Sequence, residues 1–154
     1  MRRTPLLRRK GFKRTAMKRR SSSIRSVSSK RRRRNREALP TRNALIAEVN
    51  TCELCGDEHR NRQPDLAKLC VHEIANGVDR NKALDQRYAV LVLCAYCNLY
   101  EVVNKSKWPQ ARQLAVLADS RLDDYDLVAF NRLVNDRAPN RILESEVQQY
   151  RRAG

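Results

Sequence analysis

Apolar side chains along this chain recur at two different spacings. Helical spacing, three and four residues apart, appears in NALIAEV (43–49), with Thr41 placed as a good N-cap. It returns after Trp108-Pro109, where QARQLAVLA predicts a helix to about Ala118 because proline suits a first helical position. DLVAFNRLV (126–134) predicts a third, capped by Asp123 or Asp124 and ending before Pro139, and ESEVQQYRR (144–152) a short last one. Two stretches read as strands instead. LCVHEI (69–74) is bounded by Asn76-Gly77, and YAVLVL (88–93) is the stronger, rich in Val and Leu. A further helix is predicted to begin near Tyr96 to Asn98 and run through LYEVVNK (99–105). Leu114, Leu117, Leu127, Phe130 and Leu133 are the expected core of the C-terminal helices.

This is an α+β pattern in a chain of 154 residues, enough for one ordinary domain. Charge divides it. Residues 1–36 hold 17 Lys and Arg and no acid, so 16 basic and 17 acidic residues remain from Glu37 onward, a net of −1. The expected organisation is a disordered basic tail (1–36), a core (41–107) and a helical extension packed on it (108–154). A near-neutral body of this size buries a modest core and gains from a staple. No apolar run reaches 18 residues and no apolar signal segment opens the chain, so no membrane partner is expected.

Within the tail, RTPLLRR (3–9) is echoed by RTAMKRR (14–20), each with arginine at its first, sixth and seventh positions. The charge density and the serine run (21–29) disfavour a packed fold. Arg8, Arg9, Lys10, Lys18, Arg19, Arg20, Arg31, Arg32, Arg33 and Arg34 are the candidate contacts of an arm on a nucleic-acid backbone, DNA in the first instance. A solubilising tail and an organelle or nuclear address are the alternatives.

Five cysteines include two Cys-x-x-Cys pairs, Cys52/Cys55 and Cys94/Cys97, with 38 residues between them. A two-residue spacer lets both thiolates face one tetrahedral ion, and two pairs complete four ligands, which predicts a structural Zn²⁺ with no open position. Cys70 is expected to be a small buried residue, and His59, in DEHRNRQ, a surface one. His72 and Glu73 are adjacent polar residues in an apolar strand, and neighbours on a strand face opposite sides. Gly77 and Arg80 follow closely and favour a site over a satisfied core histidine.

Cys-x-x-Cys, then a histidine in HEI, then an apolar strand ending in LC-x-x-C, resembles the HNH (His-Asn-His) endonucleases, most closely the zinc-stabilised members. The resemblance covers roughly residues 50–104. The basic tail and the extension from WP-x-AR-x-LA are similar to small phage and bacterial members, which implies a bacterial or phage-infected cytoplasm. The fold implied is a ββα-metal core, and the activity is metal-dependent DNA phosphodiester hydrolysis with Mg²⁺ or Mn²⁺ as catalytic ion. Two assignments stand open. Either His72 is the general base, with Val71 at a metal-ligand position, or His72 is the ligand and Glu73 the base.

The chain departs from the family at two places. Ala89 stands where a middle asparagine is common, so Arg80 could orient a phosphate in its stead. Asn98 follows the last cysteine, where histidine is common. It would offer a hard oxygen to Mg²⁺, or would simply cap the helix. The endonuclease (or nicking enzyme) reading therefore has two rivals: a non-catalytic nucleic-acid-binding module and a zinc-stapled interaction module.

Overall fold

The computed structural model describes residues 29–62, 64–75, 77–102, 107–134 and 141–152. The chain opens with α1 (Ser29–Val49), a 21-residue helix carrying the basic run and interrupted by Pro40. Ala38 and Leu45 are its buried residues, so its first two turns stand clear of the body while its C-terminal half docks. Leu45, Ile46 and Val49 pack against Val71, Val90 and Val92 of the sheet. Asn50 ends the helix at φ 54°, a left-handed conformation that asparagine tolerates, and its N–H bonds the Ile46 carbonyl at 2.9 Å.

This corrects the expected tail boundary. Residues 29–36 are helical, and Thr41 lies inside α1 instead of capping it. A short α2 (Glu58–Arg62) follows the first cysteine pair. Next, β1 (Leu69–Glu73) pairs antiparallel with β2 (Val90–Cys94), with Val71 opposite Val92 and His72 opposite Leu91. Val71 and Glu73 thus share the face that meets α1, and Cys70 and His72 share the other. Every residue of β2 is buried, as its unbroken apolar run predicts.

The helix expected after Tyr96 is present as one wide π-helical turn, Cys97–Glu101, closed by a Val102 N–H to Cys97 carbonyl bond of 2.9 Å. Such i to i+5 turns are rare and recur at functional sites. The continuation through 103–105 lies outside the described residues. α3 (Gln110–Ser120), α4 (Leu127–Val134) and α5 (Glu144–Arg152) complete the body. Leu114, Leu117, Phe130 and Val147 are fully buried, while Leu127 and Leu133 flank this core.

The α4 cap is Asp126, whose carboxylate accepts the Ala129 N–H at 2.8 Å, whereas Asp123 and Asp124 sit in the preceding 3-10 turn. At α5, Glu146 reaches back to the Leu143 N–H at 2.7 Å, half of a capping box. A charge network ties these layers together. Arg87 bonds Glu48 of α1 at 2.6 Å and Asp124 at 2.7 Å, and Arg121 bonds Asp124 at 2.6 Å and Glu53 at 2.7 Å. Among the described residues, no helix is long and apolar enough to cross a membrane.

Candidate functional site

The end of α1 delivers Cys52 and Cys55 to the end of β2, which carries Cys94 and Cys97. A backbone bond from the Glu53 N–H to the Val92 carbonyl, 2.9 Å, holds this approach, and the Ala95 N–H on the Lys68 carbonyl, 3.0 Å, continues the sheet pairing beside it. The first pair turns tightly, with Gly56 at φ 54° and its N–H on the Cys52 carbonyl at 2.8 Å. All four sulfurs lie within 4.8 Å of one another, and Cys55 and Cys94 are 4.0 Å apart. A tetrahedral ion with Zn–S bonds of about 2.3 Å needs sulfurs about 3.8 Å apart, so the four cysteines could hold a metal ion such as zinc.

Two nitrogens already lie close to these sulfurs. The Cys97 N–H lies 3.4 Å from Cys94 Sγ, and His59 Nδ1 lies 3.4 Å from Cys97 Sγ. His59 is therefore not the expected surface residue. It is half-buried, with its ring 4.3 Å from that of Tyr96. Burial pushes the Cys55 thiol up to about 11 and raises Cys97 as well, a cost that a bound divalent cation removes by stabilising the thiolates.

His72 faces away from α1 and sits next to this cluster. Its Nδ1 is 2.8 Å from Asn98 Oδ1, and its Nε2 is 3.1 Å from Gln113 Oε1. Burial holds its pKa below the ordinary histidine value, against the opposing pull of those two amides, so the ring is neutral near pH 7. A neutral ring carries one proton. Gln113 gives its amide N–H to the Trp108 carbonyl at 2.9 Å, which turns its oxygen toward Nε2 and places the proton there. Nδ1 is then the basic nitrogen. It faces the Asn98 oxygen, while the Asn98 NH₂ donates to the Cys70 thiol at 3.4 Å, so two acceptor atoms converge between His72 and Asn98.

Glu73 and Arg80 are elsewhere. Glu73 is buried on the α1 face, with Oε1 2.6 Å from Arg42 Nη2 and Oε2 2.9 Å from Arg80 Nη2. The expected trio of His72, Glu73 and Arg80 is thus divided by the sheet, as strand alternation requires. Val71 belongs to the apolar cluster around Leu45, and Ala89 is fully buried. Cys70 stands outside the four-sulfur cluster, its thiol 3.4 Å from the Leu93 carbonyl. Among the described residues, the hydrogen-bond partners of the His72 ring are the amides of Asn98 and Gln113, and no carboxylate joins them.

Arg31, Arg32, Arg33 and Arg34 lie exposed on α1. Arg8, Arg9, Lys10, Lys18, Arg19 and Arg20 lie outside the described residues. Sequence reasoning missed Gln113, Arg42 and His59. Gln113 and His59 are each about 40 residues from the partner they touch, and Arg42 about 30, so local pattern carries no sign of them. No family model, curated protein or solved structure matches the chain.

Proposed function

We propose that this chain is a small metal-dependent DNA endonuclease of the HNH type, with a structural zinc at Cys52, Cys55, Cys94 and Cys97 and a basic arm for DNA. The observation that carries the reading is the meeting of His72 with Asn98. The histidine of the first strand and the residue after the last cysteine are the two positions that the resemblance assigns to base and metal ligand. They lie 2.8 Å apart beside the cysteine cluster.

In this reading His72 is the general base. Its Nδ1 takes the proton of the attacking water, and Gln113 fixes the tautomer through Nε2. Asn98 Oδ1 would hold the catalytic Mg²⁺ or Mn²⁺, an ion that supplies charge stabilisation on the scissile phosphate when bound. Glu73 and Arg80 have no part in proton transfer, because they lie across the sheet. The four thiolates make a closed site whose ion holds the fold and does no chemistry.

A second reading, a nucleic-acid-binding module that does not cut, is favoured by one observation. Both His72 ring nitrogens already meet protein amides. Cleavage of supercoiled plasmid in Mg²⁺ or Mn²⁺, with and without His72→Ala, separates the two. Cleavage that depends on His72 supports the endonuclease, and DNA binding without cleavage supports the module.

A further inference from the structure

The side of β1 away from His72 carries a feature that the endonuclease reading leaves unused. Between α1, β1 and the turn Gly77–Asn81 lies a polar cleft of about 250 Å³, lined by Arg31, Asn35, Arg42, Glu73 and Arg80 among others. Three guanidinium groups face it with a single carboxylate, leaving an excess of positive charge. Glu73 is the organiser. Arg80 commits Nε and Nη2 to it at 3.1 and 2.9 Å, and Arg42 bonds both Glu73 and the Val71 carbonyl. Arg80 nonetheless remains 51% exposed at the cleft mouth, against 8% for Glu73. On α1 the cleft is lined by Arg31 and Asn35, one turn apart on the same face of the helix.

We propose that this cleft is a phosphate subsite for a DNA backbone, with Arg31, Arg42 and Arg80 as its cations and Glu73 as the internal carboxylate that sets their geometry. The inference rests on the nucleic-acid reading above and adds where the folded body grips. A planar guanidinium fork held by one anion is preorganised for a second, and a phosphodiester accepts such forks bidentately. The open, polar lining suits a continuous charged strand. Because His72 lies across the sheet, the subsite contributes affinity and register and not bond cleavage.

The test is the salt dependence of binding of the zinc-loaded full chain to a random-sequence duplex, in the native protein and in Arg31→Gln, Arg80→Gln, Glu73→Gln and Arg62→Gln. Arg31 lies on an exposed turn of α1, so its variant keeps the fold. Arg62 is exposed on α2 beside Glu58 and serves as the reference. Arg31→Gln and Arg80→Gln should each lower the log–log salt slope by about 0.9, while Arg62→Gln leaves it unchanged. Glu73→Gln should tighten binding per folded molecule by freeing two guanidinium groups. Native DNA binding with unchanged slopes in both arginine variants would overturn the subsite while leaving the nucleic-acid reading intact. Absence of any native DNA binding would overturn both. Displacement of DNA by inorganic phosphate beyond that of chloride at matched ionic strength, lost in Arg80→Gln, would place a DNA phosphate in the cleft and support the proposal.

Discussion

His72 Nδ1 and Asn98 Oδ1 stand 2.8 Å apart, although 26 residues separate them in the chain. The strand fixes one and the wide turn after Cys97 fixes the other. Cys97 opens that turn, so the four-cysteine cluster anchors one side of the histidine site.

One zinc ion per chain is expected, bound through Cys52, Cys55, Cys94 and Cys97. Cys94→Ser should lose the metal and much of the cooperative melting transition, because metal-binding energy is folding energy in such sites. His59→Phe keeps a ring beside Tyr96 but removes the nitrogen next to Cys97. It should retain the stoichiometry and weaken zinc affinity about 10- to 100-fold. Elemental analysis and a chelator competition read both.

Glu53 links the first cysteine turn to the end of α3. Its side chain is 1% exposed and that of Arg121 9% exposed, with 2.7 Å between them. Glu53 also accepts the Ser120 hydroxyl at 2.6 Å and the Val92 N–H. Glu53→Ala leaves Arg121 buried with one anion fewer, and should cost about 3 kcal/mol in denaturant unfolding.

Asp124 gives a pH signature. Burial alone would raise its pKa, but hydrogen bonds from Arg87 and Arg121 outweigh burial and hold it below the ordinary aspartate value. The folded-state pKa is depressed, so the unfolded chain binds the proton more readily. The stabilisation is complete above about pH 4 and is lost as pH falls through the folded-state value. Asp124→Asn should melt below the native protein at pH 7, and the gap should close toward pH 3.

Periodicity made the strands and C-terminal helices legible, because each buries one clear face: β2 from its Val/Leu run, α3 from Leu114 and Leu117. The cysteine spacing made the four-cysteine cluster legible for the same local reason. The tail boundary was not. Residues 29–36 are too charged to signal a helix by apolar spacing, and α1 gains its docking energy only after Ala38. Nor could adjacency separate His72 from Glu73 in role. That depended on which face α1 covers, and on Arg42 and Gln113, which reach their partners only in the folded chain.

Because α1 begins at Ser29, deleting residues 1–28 removes 11 of the 33 Lys and Arg while leaving the helix and the body whole. If about six of those charges meet phosphates, the log–log salt slope of DNA binding should fall by roughly 5. An unchanged slope would contradict the arm.

The most direct measurement is cleavage of supercoiled plasmid by the zinc-loaded chain in Mg²⁺, Mn²⁺ and Ni²⁺, normalised to folded and DNA-bound protein, for the native protein, His72→Ala, Asn98→Ala and Asn98→His. The native protein should nick or linearise the plasmid in Mg²⁺ or Mn²⁺. His72→Ala and Asn98→Ala should bind DNA and zinc but not cut, and Asn98→His should cut with its preference moved toward Mn²⁺ and Ni²⁺, which imidazole suits better. Intact plasmid with the native protein bound in every metal, or native-like cleavage by His72→Ala, would contradict the account.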